Sequence, residues 1–162
     1  MNENQFWKII ESVKKSASSA EDRPDLLATE LKSLSAGEIK DFDEIYFDQI
    51  IRSYRWDLWG AAYVINGGCS DDGFKYFCDF LISEGKEVFE AALNDPESLA
   101  LIEDLEEPEL EGFSYVAAEL YEEKAGKELP EYSKSYPEDP VGQPWDEDSV
   151  DKLYPKLAAK YW

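Results

Sequence analysis

The chain of 162 residues carries 37 acidic against 16 basic side chains, a formal net charge of −21, and no histidine. Its 43% hydrophobic and 14% aromatic content excludes a disordered polymer and is enough for the core of one domain spanning residues 1–162. The charge argues against direct contact with nucleic acid or an anionic membrane, and absent histidine removes the usual general base and the commonest transition-metal ligand.

No apolar run approaches the ~20 residues of a membrane span. The opening MNENQFWKII lacks a basic region followed by a long apolar one, so no signal peptide is expected and a cytoplasmic home is the default. Cys69 and Cys78 form neither a disulfide framework nor a zinc quartet. No cofactor and no metal is expected.

Taken in order, Phe6, Ile9, Ile10, Val13 and Ala17 recur at helical spacing and predict an amphipathic first helix. Pro24 suits the first turn of a second, through Leu26, Leu27 and Leu31. Ser35 with Glu38 matches a capping box ahead of a third, through Ile39, Phe42, Ile45, Tyr46 and Ile50. Between Trp56 and Ile65 the chain is apolar nearly all round, which marks a buried helix, and Asn66-Gly67-Gly68 ends it. Trp56, Trp59, Ala62, Ile65 and Phe74 are the expected core. Ser70-Asp71-Asp72 supplies capping side chains and negative charge for the next helix, whose apolar face is Phe74, Phe77, Cys78, Leu81 and Ile82.

Val88, Phe89, Ala92 and Leu93 mark a short helix, and Asp95-Pro96 opens another through Leu99 and Ile102. Glu103 to Glu111 reads as a solvated, self-repelling connector. Phe113, Val116, Ala117, Leu120 and Tyr121 define a further helix, stopped near Gly126. Residues 127–145 are irregular and Pro-rich, with Tyr132, Tyr136 and Trp145 expected to pin them to the helices. Asp146-Glu147-Asp148 opens a last helix with Val150, Leu153, Leu157 and Tyr161 inward, kinked or split by Pro155. The predicted architecture is all-α, with about seven to nine helices.

The words RWDLWGAAYVINGGCSDDGF (Arg55–Phe74) and FLISEGKEVFEAALNDPESLA (Phe80–Ala100) resemble an uncharacterised bacterial family, domain of unknown function 4240. Weaker echoes are QFWKIIE, FSYVAAELYEEKAGKELP and GQPWDED. The resemblance implies a small, mostly helical domain and brings no activity with it. Where it implies an Arg and a Trp, this chain has Cys78 and Phe80, departures that argue against chemistry on that helix face.

Arg52, Arg55 and Asp57 flank a tryptophan pair, and Asp71 and Asp72 lie one short turn beyond. Helix ends that share one pocket would make these five a site for a small charged ligand; the same residues serve equally as ion pairs that fix the core. Asp57, Asp71 and Asp72 have no calcium-loop spacing. Cys69 lacks a histidine partner and has acidic neighbours, which oppose a reactive thiolate.

The acids Glu103, Asp104, Glu106, Glu107, Glu109 and Glu111 are the candidate surface for a basic protein partner. Two classes of function follow. The preferred expectation is a non-catalytic interaction protein, for instance an immunity-like or antitoxin-like inhibitor covering a basic active site. The alternative is a small-ligand binder or enzyme built on Arg55, Asp57, Asp71 and Asp72 between the two central helices. A deep polar pocket favours the second, and an exposed acidic surface the first.

Overall fold

The computed structural model describes residues 1–103, 105 and 107–162, and among these the named elements are all helical. In chain order they are α1 (Glu3–Ser16), α2 (Arg23–Lys32), α3 (Ala36–Ser53), α4 (Trp56–Asn66), α5 (Asp71–Ser83), α6 (Lys86–Asn94), α7 (Val116–Ala125), α8 (Val150–Leu153) and α9 (Pro155–Tyr161). Short 3-10 turns occupy Ala20–Asp22, Pro96–Leu101 and Phe113–Tyr115. Local chemistry sets the boundaries. Ser35 and Glu38 cap each other at the start of α3, with Glu38 N donating to Ser35 Oγ at 3.2 Å and Ser35 N to Glu38 Oε2 at 2.9 Å. Gly67, at φ 67°, takes the left-handed conformation that ends α4, and Ser70 Oγ accepts from Gly73 N to begin α5.

One hydrophobic cluster runs through Phe6 and Ile10 of α1, Ile39 and Phe42 of α3, Leu81 and Ile82 of α5, Phe89 of α6 and Leu157 of α9. Three charged side chains, Arg23, Asp43 and Asp79, are buried in this interior. Arg23 lies beside Glu84 at 2.7 Å and donates to Ser83 Oγ at 2.8 Å, a buried pair that ties α2 to the end of α5.

Four expectations need correction. Ala62, Ile65 and Phe74 are buried, but Trp56 and Trp59 are only half-buried: stacked on each other 5.5 Å apart, they lie at the edge of the core. An α4 apolar on nearly every side carries more apolar surface than its neighbours cover. Asp95 and Pro96 do start a turn, with Asp95 Oδ1 accepting from Glu97 N, yet its six residues wind as a 3-10 turn. So short a segment leaves few hydrogen bonds to offset α-nucleation. The acidic run is no free connector, because Leu105, Pro108 and Leu110 are buried between exposed Glu103, Glu107, Glu109 and Glu111, and Leu110 N donates to Tyr76 O. Finally, Pro155 splits the last helix as expected, but Leu153 does not face inward. Leu153 is left 59% exposed, and Tyr154 turns inward instead, its hydroxyl donating to Asp57 O at 2.6 Å.

Gly60 is where α4 meets this C-terminal region. A Cβ there would stand 2.6 Å from the Tyr154 hydroxyl and 3.0 Å from Trp145 Cδ1. Gly60→Ala should therefore destabilise by about 1–3 kcal/mol through overpacking, although alanine is the better helix former. Urea unfolding of the variant measures this, and a stabilised variant would show that the close approach does not exist.

Candidate functional site

A cavity of about 600 Å³ opens between α3, α5, the Phe113–Tyr115 turn and the irregular segment 127–145. Eight of its 17 lining residues are aromatic. Trp59 stacks on Phe74 at 4.9 Å with the rings nearly parallel, and its indole N–H donates to Cys69 O at 3.0 Å, fixing the ring between α4 and the turn before α5. On the opposite side Tyr132 stacks on Phe47 at 3.9 Å, and Tyr136 packs against Tyr54 at 4.7 Å. The irregular segment thus forms an outer wall. It is fastened by Lys134 to Asp48 at 2.9 Å, by a parallel bridge of Val141 to Arg55, and by Trp145 Nε1 donating to Trp56 O at 2.7 Å.

Two buried carboxylates line this space, besides the exposed Asp71. Asp43 of α3 is 3% exposed and accepts from the Tyr132 hydroxyl at 2.5 Å. Burial raises its pKa, and the Tyr132 hydrogen bond opposes the rise. Asp79 of α5 is fully buried and accepts from the Tyr46 hydroxyl at 2.5 Å through Oδ1. Among the described residues its other oxygen, Oδ2, has no hydrogen-bond partner. Burial pushes this carboxyl up to about 7, with Tyr46, Ser114 and the charge of Lys75 pulling the other way. The Ser114 hydroxyl faces Asp79 closely enough to be felt, but neither Ser114 Oγ nor Asp79 Oδ2 completes a hydrogen bond of acceptable geometry. Lys75 sits at the rim, its ammonium donating to the Tyr115 hydroxyl at 3.1 Å and lying 4.8 Å from that ring's centre.

Of the five residues singled out in the sequence, Asp71 lines the cavity mouth. Arg52 is held by Glu90 in a two-point contact at 2.7 and 2.8 Å. Arg55 pairs with Asp57 at 3.0 Å, and Asp57 also accepts from Leu58 N at the start of α4. Asp72 is exposed. Arg52, Arg55, Asp57 and Asp72 are not among the cavity-lining residues. Of the acidic surface, Glu103, Glu107, Glu109 and Glu111 face solvent, whereas Asp104 and Glu106 lie outside the described residues. Cys69 is pushed up to about 12 by burial and by the charges of Glu109 and Asp71, an unreactive setting for a thiol.

Sequence reasoning missed Asp43, Asp79 and Ser114. A signal existed for the first two. Asp79 is the one charge in the run Phe77–Ile82, and Asp43 stands four residues after Ile39 and three before Tyr46, on the inward face of α3. Cys78, whose face was set aside on the strength of the resemblance, lines the same cavity.

Fold and cavity define an all-α domain with an acid-floored aromatic pocket. Residues 1–123 match the family described as protein of unknown function (DUF4240), and the chain belongs to that family. No curated protein and no solved structure matched the chain.

The buried carboxyl makes a prediction about pH. With a folded pKa of about 7 against an ordinary 3.8, Asp79 binds more protons in the folded than in the unfolded state between those values. Its contribution to stability therefore falls as pH rises through that window and is flat above about 7. Relative to Asp79→Asn, the parent should lose stability on the order of 3–4 kcal/mol from about pH 4 to about pH 7.5. Chemical denaturation of both proteins across this range measures the difference, and a constant difference would mean that Asp79 is solvated.

Proposed function

We propose that this protein binds a small organic molecule in the cavity between α3, α5 and segment 127–145. The observation that carries the reading is the combination of about 600 Å³ of space with walls of Phe47, Trp59, Phe74, Tyr132 and Tyr136. Pockets of this size with mostly apolar walls and a few convergent polar groups are the usual form of small-molecule sites. The polar groups here are Asp43, Asp79, Ser114 and, at the mouth, Asp71 and Lys75. Arg55, Asp57 and Asp72, from the sequence-derived set, would then act outside the ligand's reach.

Protein-observed NMR with a fragment library tests the reading. Ligands should shift the indole N–H resonance of Trp59 and leave those of Trp7, packed on Phe6 and Phe89, and of solvent-facing Trp162 unmoved. Filling the cavity with Ala118→Trp should abolish the response. A library that never moves Trp59, or that moves only outer tryptophans, would count against a ligand site.

A second reading, a protein-interaction module, is supported by the ridge of Glu103, Glu107, Glu109 and Glu111, which buried Leu105, Pro108 and Leu110 hold against the core. Replacing these four acids by Gln should alter stability by no more than about 0.5 kcal/mol. It should slow association with a basic partner, and most at low salt, where screening is weakest. Association unaffected by both salt and substitution, followed by surface plasmon resonance on a captured partner, would remove this reading.

A further inference from the structure

We infer that the cavity takes an organic cation: an aromatic or apolar body seated between the rings, with its ammonium or amidinium N–H groups donated to Asp79 Oδ2 and Ser114 Oγ. This rests on the ligand-binding reading and adds to it the ligand's charge and orientation.

Three independent features converge on it. The first is hydrogen bonding. Asp79 Oδ2 and Ser114 Oγ both belong to residues lining the cavity and both are buried; the Ser114 hydroxyl faces Asp79, yet among the described residues neither atom completes a hydrogen bond. A buried acceptor left empty costs stability, and the donor that best offsets the loss carries positive charge, since charge-assisted hydrogen bonds are about twice as strong as neutral ones. Tyr46 satisfies only the other oxygen of Asp79.

The second feature is charge. Asp43, Asp71 and Asp79 line the cavity against a single described lining cation, Lys75. Lys75 is engaged by the hydroxyl and ring of Tyr115 and makes no ion pair with Asp79 among the described residues. The buried carboxylate therefore has no direct ion-pair partner among the described residues, Lys75 acting on it only at a distance, and an anionic ligand would meet like charge.

The third is the wall. The faces of Trp59, Phe74, Phe47 and Tyr132 carry the negative side of an aromatic quadrupole, which attracts cations and accepts flat apolar bodies. A bare metal ion would leave this wall uncovered, and no group of three or more Cys, Asp or Glu among the described residues is arranged to hold one.

Three small probes sharing one aromatic body test the inference: phenethylamine (a cation), phenylethanol (neutral) and hydrocinnamate (an anion). Each is titrated into the full chain near neutral pH while the Trp59 indole resonance is followed. The amine should bind about tenfold or more tighter than the alcohol, the scale of one charge-assisted hydrogen bond, and hydrocinnamate weakest. Asp79→Asn should reduce amine affinity to that of the alcohol and leave the alcohol unchanged. Should Asp79→Asn fail to fold, the ranking of the three probes on the parent still decides. Equal binding of amine and alcohol, tighter binding of hydrocinnamate, or an amine preference that survives in Asp79→Asn would overturn the cation inference and leave the ligand-site reading standing. Silence of Trp59 toward all three would overturn both.

Discussion

The hydrogen bond from Tyr46 to Asp79 joins the two longest-buried faces of the protein, and much of the surrounding architecture follows from it. Asp79 stands in a run, Phe77 to Ile82, that is otherwise apolar, and α5 must be covered on that side to form at all. Covering it takes the carboxylate out of water. The Tyr46 hydroxyl, the facing Ser114 hydroxyl and the charge of Lys75 are modest compensation for a desolvated acid, which is why its proton is held up to about 7. Tyr46 is in turn enclosed by Phe6, Phe42 and Phe113, so the polar contact lies inside an aromatic shell contributed by α1, α3 and the turn before α7. By contrast, the buried cation Arg23 has Glu84 and Ser83 as direct partners. Arg23 is paired with an opposite charge and Asp79 is not, and Asp79 lies on a cavity. Perturbed acids in such surroundings occur both at structural networks and at functional sites; the adjoining open space favours the second here.

The cavity exists because the chain returns over α3 after α7. The irregular segment has little helix propensity, with Pro130, Pro137, Pro140 and Pro144 in its length, and holds to the helices through rings and a few main-chain bonds. Besides Tyr132 and Lys134, which reach α3, it is fastened at the start of α4, where Val141 O accepts from Trp56 N and Trp145 donates to Trp56 O; Tyr154, further on, donates to Asp57 O. The bonds to α4 use main-chain groups at a helix beginning, where intrahelical partners are lacking for N–H groups such as that of Trp56. The family match covers residues 1–123, which include Asp43, Tyr46, Asp79 and Ser114. Tyr132 and Tyr136, the outer wall, come from beyond it. The acid floor and its cover thus belong to different parts of the chain.

Helix positions were legible in the sequence wherever a boundary is local chemistry: the Ser35–Glu38 box, Pro24 in the first turn of α2, Gly67 after α4 and Pro155 between α8 and α9 all act through neighbours within one turn. The all-α class and the family were legible too, the latter from the long words around Trp56 and Phe80. The site was less so. Arg55, beside Trp56, and Asp72, after the glycine turn, are conspicuous charges in the sequence, yet Arg55 finds its partner two residues away and Asp72 meets solvent. Asp79 and Ser114, 35 positions apart in the chain, come together only through tertiary packing, as do Phe47 and Tyr132. No local pattern encodes such meetings. The inward phase of Asp43 and Asp79 on their helices was the only trace they left.

A direct titration of the Asp79 side chain bears most immediately on this picture. Carbon-detected NMR can follow its carboxyl carbon in the ligand-free protein as pH is varied, with Asp79→Asn identifying the resonance. A midpoint near 7 is predicted, set by a desolvated carboxylate whose burial outweighs the Tyr46 hydrogen bond, the facing Ser114 hydroxyl and the charge of Lys75. A midpoint in the ordinary aspartate range, about 3.9, would contradict it, by showing that Asp79 is solvated or paired and that the cavity has no unmet acceptor at its floor.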